Sequence, residues 1–302
     1  MTNRRKRCAF LTMQDTSGWS IDADLAFAPL AKLGWHCEWK PWREPGVDWS
    51  RFDAVYIAAP WDYPTDPAGF LKVLAEIDAS GVVLVNDLSL VRWNLAKTYL
   101  RDLESRGASI VPSRWCEEST GRWFDDGGLD EGFATFGNDI IVKPIVSTNA
   151  TDTFLLSKPV DAATLKQLKK TFAERPFVVQ PFVASIRTEG EISLFYFGDR
   201  YSHAIQKIPK SSDFRVQEEH GAEIFAIEPE SSLRETADLV ISLVDPLPVY
   251  CRSDFVRGAD GRFLVMELEM IEPSMYLRMH DAAPQRFAEA LDRYVRRQSL
   301  MR

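Results

Sequence analysis

The sequence predicts a mixed α/β and α+β protein: an open parallel sheet first, a smaller α+β unit next, and a mainly antiparallel sheet last. Three observations carry this. Residues 7 to about 112 alternate strand and helix patterns, the βαβ text of a parallel sheet. Residues 113 to 182 form the smaller unit, with Asp125-Asp-Gly-Gly128 as a loop inside it. Residues 183 to 302 read mainly as strands, with two helices. The expected units are therefore 1–112, 113–182 and 183–302. A chain of 302 residues exceeds one comfortable core and suits two or three lobes.

Each element has a local reason. Arg7–Thr12 is apolar and reads as a strand, and Asp22–Leu33 as a helix ended by Gly34. Ala54–Ala59 is a buried strand. Thr65-Asp66-Pro67 caps a helix, with proline in its first turn, that runs to Ser80 and stops at Gly81. Val82–Val85 is the next strand and Leu90–Arg106 the next helix. Phe177–Val183 is a buried strand running into a proline. Phe195 to Lys207 is a hairpin with Gly198-Asp199 at its tip. Ser232–Leu243 and Pro284–Arg297 are the late helices.

The last pair of strands carries the most chemistry. Val249–Val256 and Arg262–Met270 are rich in β-branched and aromatic residues and flank the turn Arg257-Gly-Ala-Asp-Gly261. Alternation puts Phe263, Val265, Glu267 and Glu269 on one face. A short hairpin closing at Ala259-Asp260 brings Arg252 and Asp254 onto it. Asp254, Glu267 and Glu269 then converge, with the two glutamates roughly 7 Å apart along the strand. Such carboxylates repel one another unless a cation or a base neutralises them. A hard divalent ion such as Mg²⁺ is one answer; a solvated strand face of alternating polarity is the other reading. On the metal reading, deleting one carboxylate relieves repulsion and holds or raises stability at low magnesium.

Phosphate binders come next. Lys97 follows Asn86 and Trp93, and Lys143 ends the apolar strand Asp139-Ile-Ile-Val-Lys143 just before Pro144. The loop Ile145–Thr153 is small and polar, with hydroxyls and backbone N–H groups suited to phosphate oxygens. Glu189 and Glu191 follow the strand that ends in Gln180-Pro-Phe-Val183, and Asp213-Phe-Arg215 comes later.

In this order the segments resemble the ATP-grasp superfamily, and within it the glutathione-synthetase and ribosomal-protein glutamate-ligase branch. The wording of Trp61-Asp-Tyr, Asn86 with Trp93 and Lys97, Lys143-Pro144, Gln180-Pro-Phe-Val183, Ser202-His-Ala and Glu267-Leu-Glu-Met-Ile-Glu-Pro273 is closest to the D-cycloserine cyclo-ligase group. The resemblance spans nearly the whole chain. It implies an ATP-grasp fold in which 113–182 is the lid and 183–302 the metal-binding subdomain. It implies ATP as cosubstrate and Mg²⁺, two ions, with Mn²⁺ as a substitute. Lys97, Lys143 and Ser147 would reach the phosphates. Gln180, Pro181, Phe182 and Val183 would form the hinge that reads adenine, and Glu191, with Glu189 as its rival, would hold the ribose. Asp254, Glu267 and Glu269 would be the metal ligands. Arg215 would lie near the transferred phosphate, assisted by Lys207 or Arg252. The implied activity is ATP-dependent joining of a small carboxylate, or an equivalent oxygen, to a nitrogen nucleophile, with ADP and phosphate released and an intramolecular cyclo-ligase as a close variant. A non-catalytic nucleotide-binding protein and a kinase releasing a phosphorylated product are the alternatives. Two departures stand out. Glu269 replaces the asparagine of the glutathione-synthetase branch, and the loop after Lys143 has no glycine, so Ser147, Thr148 and Asn149 must replace it.

Substrate contacts are sought beyond the carboxyl ends of the parallel strands. Trp61, Asp62 and Tyr63 follow one of them, and Trp19 with Asp15 and Ser17 follows another. Ser274 and Tyr276 lie in the turn after the metal strand. Aromatic packing at a lobe boundary is the competing account of the tryptophans. The expected substrate is a small carboxylate or amino-acid-like molecule.

Composition excludes other classes. A net charge of −8 argues against non-specific nucleic-acid binding. The basic run Arg4–Arg7 reads as a solvated tail before the first strand. No apolar stretch approaches the roughly 20 residues of a membrane span. Cys8, Cys37, Cys116 and Cys251 are widely spaced, as expected for reduced thiols in a cytoplasmic protein. His203 reads as a hydrogen-bonded structural histidine, with a place facing the site as the other option. A homodimer is a candidate assembly.

Overall fold

A computed structural model describes residues 5–118, 120–211 and 213–301. Arg4, the first residue of the basic run, lies outside them. The N-terminal sheet comprises β1 (Lys6–Thr12), β2 (Trp35–Pro41), β3 (Ala54–Ala59) and β4 (Val83–Val85), all parallel, in the order β2-β1-β3-β4. The helix Pro67–Ala79 starts where the sequence places it: the Asp66 carboxylate accepts from the Gly69 N–H at 2.9 Å, with proline in the first turn. Strand β2 was not anticipated. Its signal is the alternation of Trp35, Cys37 and Trp39 with His36, Glu38 and Lys40, and it lies at the sheet edge, mostly half-buried.

The expected helix Leu90–Arg106 is two helices, Leu88–Asn94 and Tyr99–Ser105. Between them the Lys97 N–H donates to the Ile145 carbonyl at 2.9 Å. A long-range partner thus replaces the helical one, and the interruption lets Lys97 face a cleft.

The middle sheet holds β5 (Arg114–Cys116), β6 (Asp139–Pro144), β7 (Phe154–Ser157) and β8 (Phe177–Pro181), antiparallel, in the order β5-β8-β6-β7. The last sheet holds β9 (Glu191–Phe197), β10 (Arg200–Ile208), β11 (Glu223–Ile227), β12 (Cys251–Arg257) and β13 (Phe263–Glu269), in the order β11-β10-β9-β12-β13. Strands β9 and β10 turn at Gly198-Asp199 as expected, with Gly198 at φ 68°. The final helix, Ala283–Met301, packs against both the first and last sheets. Tyr56 meets Phe10, Tyr250 and Phe287 with ring centroids 5.0, 4.9 and 4.8 Å away, so one aromatic cluster joins the N-terminal and C-terminal sheets. Among the described residues no helix is long and apolar enough to cross a membrane.

The β12–β13 hairpin has the expected facing of its acids, with a different register. Arg252 pairs with Glu269 and Asp254 with Glu267, but Phe255 then pairs with Val265. Met266 is the extra residue of a β-bulge, which reverses the alternation along β13. Phe263 and Val265 therefore do not share the face of Glu267 and Glu269; they pack with Leu268 and Met270 in the core behind the sheet. Without the bulge, the apolar residues near the turn and the acids further on could not each face the right side.

Strand β13 ends its sheet, so its outer backbone groups need partners. Side chains from the N-terminal region supply them. Tyr99 Oη accepts from Leu268 N–H at 2.9 Å, Asn94 Oδ1 accepts from Met270 N–H at 2.9 Å, and Asn94 Nδ2 donates to the Leu268 carbonyl at 2.7 Å. Asn86 Nδ2 donates to the Tyr250 and Met270 carbonyls at 3.0 and 2.9 Å. Strand β13 is thereby tied to the N-terminal region.

Candidate active site

One cleft runs between the three sheets, and charged side chains crowd its floor. Asp254, Glu267 and Glu269 each offer a carboxylate oxygen within 4.8 Å of the others. Hard oxygen donors so close together suit Mg²⁺ or Mn²⁺, and the donor set fits such an ion. The carboxylates are also neutralised from within the protein. Lys97 Nζ lies 3.0 Å and Lys143 Nζ 3.7 Å from Glu267 Oε1. Arg252 donates to both oxygens of Asp254, Nε to Oδ1 at 3.0 Å and Nη2 to Oδ2 at 3.0 Å, and it also pairs with Glu269. Lys207 Nζ lies 2.5 Å from Glu191 and 3.4 Å from Asp254. Ser193 donates to Asp254 as well.

These pairings set the ionisation. Burial raises Asp254, but Arg252 and Lys207 outweigh it and hold the carboxyl at about 2. Burial likewise opposes the charge on Glu267, and Lys97 with Lys143 overcomes it, so its pKa lies below the usual range. Burial pulls Lys143 down, with Glu267 opposing. Lys207 is also penalised by burial, yet Asp254 and Glu191 keep it charged. The expectation that losing a carboxylate relieves repulsion is therefore corrected: loss of Asp254 leaves Arg252 and Lys207 as buried cations short of a partner.

The residues picked from sequence fall into two groups. Lys97, Lys143, Ser147, Gln180, Pro181, Phe182, Val183, Glu191 and Lys207 line the cleft, as do Arg215, Arg252, Glu267, Glu269, Trp61, Tyr63 and Ser274. Asp254 lies just behind this surface, 1% exposed. Two lie elsewhere. Glu189 points away and pairs with Arg257 at 2.8 Å, so Glu191 is the one on the cleft wall. Asp62 turns outward to accept from the Trp42 indole at 2.6 Å and from Arg43 at 3.2 Å; consecutive residues after a strand end need not share a side. Arg215 reaches the cleft with its guanidinium on Asp213, Nη2 to Oδ2 at 2.7 Å. His203 is buried, stacked on Phe195 at 4.2 Å, and bonded to Ser202 Oγ at 2.9 Å and the Met275 carbonyl at 3.1 Å, which makes it the structural histidine expected.

The loop after Lys143 answers the missing glycine directly. Asn149, Ala150 and Asp152 take left-handed backbone with φ of 51°, 52° and 55°. Ser147 contributes its carbonyl, which accepts from Lys97 Nζ at 3.0 Å. Thr148 Oγ1 donates to the Trp61 carbonyl at 3.1 Å, and Arg175 holds Asp152 at 2.6 Å.

At the far end of the cleft, Trp19 and Trp61 stack with centroids 4.9 Å apart. Glu272 lies beside them, 6% exposed, with its backbone carbonyl accepting from the Trp61 indole at 2.9 Å. Its carboxyl neighbours the Tyr63 hydroxyl, and each shifts the other's ionisation. Sequence reasoning gave Glu272 no role, nor Asn94 and Tyr99. The strand period ends at Glu269, so nothing local says where a carboxyl three residues on will point.

The chain is similar to known proteins along most of its length. A family model described as the N-terminal domain of D-cycloserine synthetase DcsG matches residues 8–86. The cycloserine biosynthesis protein DcsG of Streptomyces lavendulae is 29% identical over 295 residues, which span 91% of this chain and 96% of that protein. The crystal structure of D-cycloserine synthetase DcsG superposes with a TM-score of 0.84 at 27% identity, over 96% of this chain and 99% of that one. The ATP-grasp ligase PsnB, solved with a precursor variant, Mg and ADP, shares the fold with a TM-score of 0.65 at 17% identity, over 96% and 99% of the two chains.

Proposed function

The chain belongs to the ATP-grasp ligases, and we propose that it activates a small carboxylate or equivalent oxygen as a phosphate, then joins it to a nitrogen nucleophile. The observation that carries this is the convergence of Lys97 and Lys143 on Glu267, beside Asp254 and Glu269, on one cleft floor. The units 1–112, 113–182 and 183–302 are read as substrate lobe, lid and metal lobe. ATP lies with its adenine edge on the backbone of Gln180–Val183, its ribose near Glu191 and its outer phosphates near Lys97, Lys143 and Ser147. Asp254, Glu267 and Glu269 would hold two Mg²⁺ ions, or Mn²⁺ in their place; bound there, the metal supplies charge neutralisation between carboxylates and phosphate oxygens.

The protein's own residues do the rest by position and charge. Lys97 and Lys143 exchange Glu267 for phosphate oxygens, which frees that carboxylate as the nucleotide arrives. Nucleotide and metal binding thereby support each other. The substrate oxygen attacks the terminal phosphorus, the bond to the bridging oxygen breaks, and ADP departs with the electron pair. Arg215, at the cleft wall, neutralises charge on the transferred phosphoryl group. Lys207 and Arg252 hold Asp254 and Glu269 in place. The nitrogen lone pair then forms the C–N bond, the C–O bond to phosphate breaks, and the proton lost from nitrogen passes to solvent. The loop 145–153 excludes water from the intermediate. Closure within a single molecule is the cyclo-ligase variant, and the substrate is amino-acid-like.

The test is ADP release over a panel of D- and L-amino acids and small carboxylates, with hydroxylamine present and products read by mass spectrometry. Hydroxamate should form in proportion to ADP. AMP with pyrophosphate as the stoichiometric products would refute the mechanism. A stable phosphorylated product without nitrogen would make the protein a kinase, and nucleotide binding without turnover a non-catalytic member.

A further inference from the structure

We propose that Glu272, braced by Tyr63, holds the nitrogen nucleophile by accepting one of its N–H hydrogens at the substrate end of the cleft; this rests on the ligase reading above. The acids on the cleft floor are explained by their partners: Asp254 by Arg252 and Lys207, Glu267 by Lys97 and Lys143, Glu269 by Arg252. Glu272 is different. It is 6% exposed and lines the cleft, yet among the described residues it forms no ion pair. Lys97 and Arg252 act on it only from beyond ion-pair distance, and a buried carboxyl without a direct cation is costly unless hydrogen bonds satisfy it. The protein hydroxyl beside it is that of Tyr63, which leaves acceptor capacity facing the cleft.

Its surroundings make it a fixed acceptor. Tyr63 is 4% exposed and stacks on Phe70 at 4.9 Å, so its hydroxyl cannot wander. The Trp61 indole holds the Glu272 backbone carbonyl at 2.9 Å. Trp61 is in turn stacked on Trp19 and bonded through its own carbonyl to Thr148 of the loop after Lys143. Two indoles beside a carboxyl make a flat, water-poor wall with one acceptor, which fits a small group carrying N–H. Position along the chain agrees. Met266 on β13 packs with the hinge residues Phe182 and Val183, and Glu272 follows six residues later, at most about 20 Å on. Along the chain Glu267 and Glu269 lie between the two, and Glu272 adjoins the Trp19–Trp61 end of the cleft, which we take as the substrate side. Burial, then the charge of Glu269, pushes the Glu272 carboxyl well above the carboxylate range, against the opposing pull of Lys97, Tyr63 and Arg252. A neutral acceptor of this kind takes an N–H from an uncharged amine, the nucleophilic form, without favouring the unreactive ammonium.

The test compares Glu272→Met, which keeps the volume and removes the acceptor, with Glu272→Gln, which keeps an acceptor oxygen. The nitrogen substrate is whichever panel amino acid gives ligated product with the wild type, and hydroxylamine at saturating concentration serves as the bypass nucleophile. Glu272→Met should raise KM for that amino acid about tenfold to a hundredfold, and Glu272→Gln should recover most of the loss. ADP-linked hydroxamate formation and KM for ATP should stay within about threefold of wild type. Equal loss of hydroxamate and ligated product in Glu272→Met would overturn the assignment, as would an unchanged KM. Should Glu272→Met fail to fold, Tyr63→Phe, which frees the carboxyl from its brace, must raise the same KM with hydroxamate formation preserved. If the wild type releases no ADP with any panel member, the ligase reading itself falls and takes this assignment with it.

Discussion

The β12–β13 hairpin and the loop 145–153 face the same cleft and are held in opposite ways. The hairpin carries one buried and two half-buried acids, each locked onto buried cations, and its free edge is closed by Asn86, Asn94 and Tyr99. The loop carries no such network. It is held mainly through its backbone carbonyls, by Lys97 at Ile145 and Ser147, Arg175 at Val146 and His220 at Asn149, with Thr148 on the Trp61 carbonyl and Arg175 on Asp152, and it places three non-glycine residues in left-handed backbone. The difference separates two tasks. On the proposed roles, metal ligands must stay put, and a network in which every charge is paired cannot relax one member without exposing another. On the same proposal a phosphate cover must move, and hydrogen bonds without a closed lattice of ion pairs permit that.

The sharpest way to break the comparison is Asp254→Asn. Arg252 and Lys207 would lose their shared carboxylate in a site 1% exposed, so stability should fall by about 3–5 kcal/mol by urea denaturation, and ADP release should vanish. A variant as stable as the wild type without magnesium would show that the ion-pair lattice is not what fixes the hairpin.

A second test concerns acid. His203, in the same sheet, is held down to about 4 by burial, with His280 and Arg286 nearby adding to the effect and the Met275 carbonyl opposing it. The folded value lies below the ordinary 6.5, so this stabilisation is complete above about pH 6.5. It is lost as pH falls through 4, and amounts to about 3 kcal/mol at most. His203→Phe should flatten the stability profile between pH 6.5 and 4 in chemical denaturation; an unchanged profile would remove His203 from the account.

The lid side should respond to ligand rather than to charge deletion. With the adenine edge on the backbone of Gln180–Val183, GTP would leave donors and acceptors there unmatched, at about 1–3 kcal/mol. Calorimetry should show ATP binding correspondingly tighter, and equal affinities would displace the hinge. The smallest effect is expected in the loop itself. Ala150, at φ 52°, should gain about 0.5–1 kcal/mol on replacement by glycine, with turnover nearly unchanged. A large loss of activity in Ala150→Gly would mean that the loop is as over-determined as the hairpin.

Much of this was legible in the residues. The parallel first sheet follows from βαβ spacing, the helix at Pro67 from its cap, the β9–β10 turn from Gly198-Asp199, and the facing acids from strand alternation. These are local properties, with periods of two or 3.6 residues and turn chemistry. What the chain could not reveal locally depends on partners far away in sequence. Met266 bulges out because apolar residues and acids on one strand must face opposite sides, and that requirement exists only once the core behind the sheet is built. The helix at Leu95–Thr98 breaks because Ile145 offers Lys97 a competing bond. Asp62 turns outward to Trp42 and Arg43, while Glu272 turns inward to Tyr63. Sequence by itself determined which chemistry the protein possesses: the acids, the lysines and the order in which they come. Tertiary structure alone decided which acids meet which cations, because long-range electrostatics and packing, not periodicity, choose the neighbours of a buried charge.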